Sequence, residues 1–208
     1  DSASRGLGDV YKRQLLNNAG GANKTKQITT EGLEKTFATN QMNYFVLSTE
    51  LLEIISESND GRIVNVASNA HIGAEVDYEN INSEKSFSAW TSYCVSKLMN
   101  IMFTYQLSSI QDKVSVNVLH PGFVDTNIAG NEGNFIKYIV KLGAKMFART
   151  VDSGADSSIY LSTSDEVQNV SGKYFFKCKE IKSSRGSYNK EDWQKVWDLC
   201  NEYKIKLI

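Results

Sequence analysis

The chain has 208 residues, 41% of them hydrophobic, with 23 Lys and Arg against 24 Asp and Glu for a formal charge of -1. That is the length of one domain with enough apolar content for a core, which excludes a disordered chain, and the balanced charge argues against a broad basic face for nucleic acid. No apolar run reaches the roughly 18 residues that a membrane span needs, and three widely spaced cysteines with two histidines give neither a disulfide framework nor a zinc knuckle.

Residues 1–14 are charged, broken by glycine and without period. Leu15 and Leu16 read as the end of a short buried strand that runs into the turn Asn17-Asn18-Ala19-Gly20. After a polar loop, Thr29 or Thr30 is expected to cap a helix with Glu31 in its first turn. Leu33, Phe37, Tyr44, Leu47, Leu51, Ile54 and Ile55 then recur at helical spacing, which predicts one long covered helix to about Ser58. Asn59-Asp60-Gly61 is a turn. Ile63 to Ala67 is a short run of branched residues without alternation, the pattern of a buried parallel strand. Residues 69–89 are a polar excursion. A second long helix starts near Ala89 and carries Tyr93, Lys97, Leu98, Ile101, Met102, Tyr105 and Leu107. Val114 to Leu119 is the next strand, ended by Pro121-Gly122. Residues 123–150 have an amphipathic centre, 152–162 read as helix, and Gly172 to Phe176 as a last strand. A closing helix runs from Asn189 or Lys190 to about Tyr203, with Trp193, Val196, Trp197 and Cys200 on one side.

Short strands separated by long helices predict an α/β fold with a parallel sheet and helices on both faces. In such sheets ligands bind outside the carboxyl ends of the strands, which singles out Asn17, Asn18, Ser68 and the residues after Leu119. Tyr93 and Lys97 are four apart and share one helix face. A tyrosine is a poor base at neutral pH, but a cation held close stabilises its phenolate, so the pair suits proton transfer; a core tyrosine beside a snorkelling lysine fits the same spacing. Ser68, just past a strand end, could hold a substrate oxygen or simply build a turn. Asn40 lies in an otherwise apolar helix, where its amide must bond to backbone or hold a water.

Together these residues resemble the short-chain dehydrogenase/reductase family. Asn17-Asn18-Ala19-Gly20 resembles its NNAG segment and Tyr93-Cys94-Val95-Ser96-Lys97 its YxxxK motif, with Asn40 and Ser68 in the fitting order. Gly61 to Ser68, Ser96 to Asn100, His120 to Thr126 and Val170 to Phe175 are similar to the retinol dehydrogenase-like branch. The resemblance covers about residues 15–203 and implies a Rossmann-like sheet. It implies Tyr93 as general acid/base, Lys97 as the group that lowers the Tyr93 pKa and bonds the nicotinamide ribose, and Ser68 as holder of the substrate oxygen. Asn40 would fix a water that joins Lys97 to solvent. Asn18, Ala19 and Gly20 would line the adenosine side of the cofactor, and Pro121, Gly122 and Thr126 its carboxamide end. The reaction implied is hydride transfer between NAD or NADP and an alcohol/carbonyl pair, with no metal.

The family's nucleotide-binding half is not matched. Ala3 to Gly8 resembles the tail of its glycine-rich turn, yet only residues 9–14 separate it from Leu15. The expectation is a sheet truncated at its N-terminal nucleotide-binding half: an atypical or non-native leader over 1–14, then a partial domain over 15–208 with its first strand exposed as an edge. The 208 residues alone are expected to bind nicotinamide cofactor weakly or not at all, while the intact parent is an oxidoreductase. The alternative is a catalytically inactive fragment, or a non-catalytic binding or structural module that keeps the oxidoreductase core. The apolar residues between Phe135 and Phe147, interleaved with Lys137, Lys141 and Lys145, suit a lid over a lipophilic alcohol or carbonyl, packing on the sheet, or contact with a membrane surface. The helix around Tyr93 is an oligomer helix in many relatives, so a homo-oligomer is a further expectation. A cytoplasmic location, or a membrane-associated one facing the cytoplasm, completes the reading.

Overall fold

The computed structural model describes residues 14–122 and 151–207. Branched residues dictate the sheet, because they pack well on a pleated surface and lose little freedom there. Its strands are β1 (Gln14–Asn17), β2 (Arg62–Val66), β3 (Ser115–Leu119), β4 (Tyr174–Phe176) and β5 (Lys179–Ile181). They lie in the order β1-β2-β3-β4-β5. β1 to β4 are parallel, with Asn17 opposite Asn65, Val66 opposite Leu119 and Leu119 opposite Phe175. All four carboxyl ends therefore open on one edge. Among the described residues β1 is an outer strand, and its Leu16 is exposed.

Alternate residues of the strands face opposite helical layers. Ile63 and Val116 join Phe45, Leu98, Met102, Phe103 and Val196 in the larger core. Val64, Val66, Leu119 and Phe175 pack on the other side against Leu161 and Val167. The first layer is built from α1 (Lys35–Phe37), a π turn (Ala38–Met42), α2 (Asn43–Glu50), α3 (Leu52–Ser56), α4 (Ala89–Ile110) and, at the end of the chain, α6 (Lys190–Leu207). The second layer is α5 (Val151–Thr163). Helix α6 seals α4, with the Trp197 ring stacked on Phe103 at 6.1 Å and edge-on to Phe45 at 5.1 Å.

Three sequence expectations change. The first helix begins at Lys35, not at Thr29 or Thr30. The Glu34 carboxylate takes the N–H groups of Thr36 and Phe37 at 3.0 Å each, while Thr29 closes a loop by accepting from Gly32 N–H at 3.0 Å. The expected single helix to Ser58 is also interrupted. Asn43 N–H reaches back five residues to Ala38 O in the π turn, and Leu51 turns out of line at φ -93°, ψ -3°. Apolar spacing does not register either break, since the buried face continues across both. Finally, the last strand is the first arm of a hairpin. Lys177 and Cys178 adopt φ of 50° and 58° in a two-residue turn that returns the chain as antiparallel β5. A turn of that kind is usually written with Asn or Gly, so Lys-Cys concealed it.

The turn before β2 admits only glycine. A Cβ on Gly61 would stand 2.4 Å from the Ile55 carbonyl oxygen. This close return brings Arg62 inside, where Nε and Nη2 bond Asp60 at 2.6 and 3.0 Å and Nη1 bonds the carbonyls of Leu161 and Ser164 at 3.1 and 2.8 Å. The end of α5 is thereby fastened to the start of β2.

Candidate active site

The strand ends gather the polar residues. Asn17, last in β1, turns inward and donates to Asn65 Oδ1 at 2.8 Å and Ser48 Oγ at 3.0 Å, so it is a cross-strand tie. Asn18, Ala19 and Gly20 follow it, exposed at the sheet edge. Ser68 stands two residues past β2 and caps a single 3₁₀ turn (Asn69–His71), its Oγ accepting from Ala70 N–H at 3.2 Å. Pro121 and Gly122 stand half-buried past β3, and the Gly122 N–H donates to His120 Nδ1 at 3.2 Å. Thr126, residues 1–13 of the expected 1–14 leader and the apolar stretch 135–147 lie outside the described residues, while Gln14 opens β1.

Helix α4 brings two more groups to this edge. Its N-terminus is capped by Ser88, whose Oγ accepts from Thr91 N–H at 3.3 Å, and its first turns put Tyr93 and Lys97 on the face toward the strand ends. Ser68 stands beside the Tyr93 side chain and favours its phenolate. Burial pushes the Tyr93 pKa up and the nearby Ser68 opposes it only in part, so the expected depression by Lys97 is not found. The physical reason is distance and solvation. Lys97 Nζ lies 6.0 Å from the centre of the Tyr93 ring, and Lys97 is itself enclosed, 4% exposed. Burial holds its pKa down, at about 7.

Lys97 Nζ donates to Val66 O at 2.8 Å and to Asn100 Oδ1 at 3.3 Å, and stands 5.3 Å from the Tyr44 ring centre. Tyr44, on α2, donates to the same Val66 carbonyl at 3.4 Å. Asn40 lies in the π turn and clamps the loop after β1. Its Oδ1 accepts from Gly21 N–H and its Nδ2 donates to Gly21 O, each at 2.9 Å, with a further bond to Ser96 Oγ at 2.9 Å. The amide of Asn40 is therefore committed to the Gly21 backbone and the Ser96 hydroxyl. Its main-chain carbonyl accepts from Asn100 Nδ2 at 2.8 Å, so a side chain links Asn40 to Lys97 directly. A Cβ on Gly20 would meet Asn40 Oδ1 at 3.0 Å and Lys97 Nζ at 3.2 Å, so the absence of a side chain leaves a cradle beside the lysine.

Asn40, Ser68, Tyr93, Lys97 and Gly20 thus come together. Sequence reasoning missed Tyr44, His71 and Asn100. Tyr44 sits among apolar residues at helical spacing and reads as core. Asn100 follows Lys97 by three, so it shares that face, and an amide amid Leu98, Met99 and Ile101 was the available signal. His71 is almost fully buried. Its Nδ1 donates to Ser68 O at 2.7 Å and its Nε2 accepts from Ser184 N–H at 3.0 Å. Those partners require the neutral ring, and burial lowers its pKa accordingly.

Among the described residues no cluster of His, Cys, Asp and Glu could hold a metal ion, and no helix is long and apolar enough to cross a membrane. What remains is a phenol, a hydroxyl and a buried ammonium around an open edge, a set able to hold an oxygen and move a proton.

Known proteins resemble this chain in sequence and in fold. Human (Homo sapiens) retinol dehydrogenase 14 is 36% identical over 198 residues, which cover 93% of this chain and 59% of that protein. The chain therefore spans well under two thirds of that relative's length. An uncharacterized protein from Mycobacterium paratuberculosis has the same fold, with a TM-score of 0.69, 23% identity, and coverage of 97% of this chain and 71% of its own. So does a gluconate 5-dehydrogenase from Burkholderia cenocepacia J2315 in complex with NADP and tartrate, at a TM-score of 0.57, 18% identity, and coverage of 79% and 62%. The model of the short chain dehydrogenase family matches residues 13–136, and by that match this chain belongs to the short chain dehydrogenase family.

Proposed function

We propose that the intact protein carrying this chain is an NAD(P)-dependent oxidoreductase that interconverts a lipophilic alcohol and the corresponding carbonyl compound. The observation that carries the reading is the meeting of Tyr93, Ser68 and Lys97 at the carboxyl ends of β1 and β2. The name of the human relative supports a lipophilic alcohol, and the NADP complex of the Burkholderia protein supports the cofactor class.

The residues fit a nicotinamide cofactor. The cradle over Gly20 opens beside Lys97 Nζ, which has given two of its three N–H bonds to Val66 and Asn100, leaving one for a ribose hydroxyl. Asn18 and Ala19 would line the adenosine side, and Pro121 and Gly122 the carboxamide end. When bound, the cofactor supplies or takes the hydride at the substrate carbon.

The chain's own residues handle the oxygen. As a carbonyl is reduced, its oxygen gains charge, and Ser68 Oγ–H and Tyr93 Oη–H donate to it where that charge develops. Tyr93 then gives up its proton. Its raised pKa keeps it protonated at neutral pH, ready to act as the acid. The Lys97 ammonium, 6.0 Å from the ring centre, is the cation that faces the phenolate left behind. In the oxidising direction Tyr93 starts as phenolate, so that rate rises with pH.

Turnover of retinaldehyde with NADPH and NADH by the intact protein tests the reading. Tyr93→Phe keeps the ring and removes the proton, and a loss of about 10²–10⁴-fold in kcat is expected with folding unchanged. Wild-type protein without turnover on any lipophilic alcohol or aldehyde, or a Tyr93→Phe variant as fast as wild type, would overturn it.

A further inference from the structure

Helix α4 carries a buried polar residue that the steps above do not use. Asn100 is fully enclosed, one turn beyond Lys97. Its Nδ2 donates to the Asn40 main-chain carbonyl at 2.8 Å and to Gln41 Oε1 at 2.9 Å. Both of those acceptors belong to the π turn. A carboxamide has two N–H donors on one side and one oxygen on the other. With both donors committed to the π turn, only Oδ1 is left to face Lys97, and Nζ donates to it at 3.3 Å. Gln41 is oriented in its turn, because its Nε2 donates to Cys200 Sγ of α6 at 3.5 Å and so directs Oε1 at Asn100. The direction of the Asn100 amide is thus fixed by the π turn and, through Gln41, by α6.

We propose that Asn100 is a positioning residue for the Lys97 proton: the π turn sets its amide so that the side-chain oxygen meets the ammonium and keeps it charged within reach of Tyr93. The proposal rests on the reading of Lys97 as the partner of Tyr93. The groups that face Lys97 Nζ are Tyr93 on its own helix, Tyr44 on α2, the Val66 carbonyl of β2 and the Gly20 backbone after β1. The two side chains among them are phenols, protonated at neutral pH because burial raises both their pKa values. The ammonium is therefore held by neutral acceptors, and Asn100 is the side chain that supplies one. In an enclosed site such a bond counts for more than in water.

The test is an NMR titration of the intact protein labelled with ¹³C at lysine Cε, the Lys97 signal assigned by its loss in Lys97→Arg. Asn100→Leu removes the acceptor, and the Lys97 titration is expected to move down by about one to two pH units. Asn100→Asp keeps the shape and adds a charge, and the titration is expected to move up. Should the Leu variant not fold, the Asp variant decides. An unchanged Lys97 titration in the folded variants would overturn the proposal and leave Asn100 as a core amide. In turnover the alkaline fall of kcat/KM for carbonyl reduction should move with the Lys97 titration, which a purely structural amide would not produce. The titration needs no turnover, so an inactive protein counts against the oxidoreductase reading alone.

Discussion

Lys97 sets the electrostatics of the site at the scale of one residue. Its ordinary pKa of 10.5 falls to about 7 in the folded chain because burial removes the water that solvates the ammonium. Between those two values the unfolded chain binds a proton that the folded chain lacks, so stability falls as pH drops from 10.5 toward 7 and is level below. Lys97 therefore costs the fold stability at neutral pH, as a group kept for chemistry would. Lys97→Met should raise stability at pH 7.5 by about 2–4 kcal/mol in urea unfolding, while activity is lost. A variant no more stable than wild type would contradict a net cost of burying Lys97. The spacing of Tyr93 and Lys97 fitted a proton-transfer pair and a core tyrosine beside a snorkelling lysine alike, and the family resemblance pointed to the first. The direction of the tyrosine shift was not legible, because spacing records neighbours and not the removal of water.

At the scale of elements, the site depends on how strand ends and helix starts are fastened. The π turn holds Asn40 against Gly21 and Asn100 at once, joining the loop after β1 to α4. His71 does the same for Ser68. It bridges the Ser68 carbonyl to Ser184, and the segment beyond is tied to α4 by a 2.7 Å bond between Tyr105 and Ser183 and to α6 by Trp193 Nε1 donating to Ser187 O at 2.6 Å. The neutral His71 ring is needed, and its pKa lies below the ordinary 6.5. The bridge therefore contributes its full stability above pH 6.5 and loses it as pH falls below. His71→Phe should cost about 1–3 kcal/mol at pH 7.5, measured by thermal or urea unfolding, and should flatten the acid side of the stability profile. An unchanged acid limb would place the titrating group elsewhere. Neither fastening could be read from the sequence. A π turn leaves the apolar period intact, and a histidine bridge joins residues 113 apart in the chain.

At the scale of the whole molecule, much of the architecture was legible. The unalternated branched run at Ile63 gave a buried parallel strand, Val114 to Leu119 gave the next strand, and the apolar side of the closing helix gave α6 its seat on α4. The antiparallel β5 was missed because its turn lacks the usual residues, and the clamp of Arg62 on α5 because a buried arginine at a strand start reads as a surface charge. The parallel sheet matters for function because its carboxyl ends converge on one edge, where the loops after β1 and β2 meet the Tyr93 and Lys97 face of α4. The most direct measurement of the central claim follows the hydride itself. The intact protein is given a lipophilic aldehyde such as retinaldehyde with NADPH or NADH carrying deuterium at the transferring position, and the alcohol is analysed by mass spectrometry. Deuterium on the carbinol carbon is expected, formed by wild type and lost with Tyr93→Phe. No alcohol, or alcohol without deuterium, would contradict it.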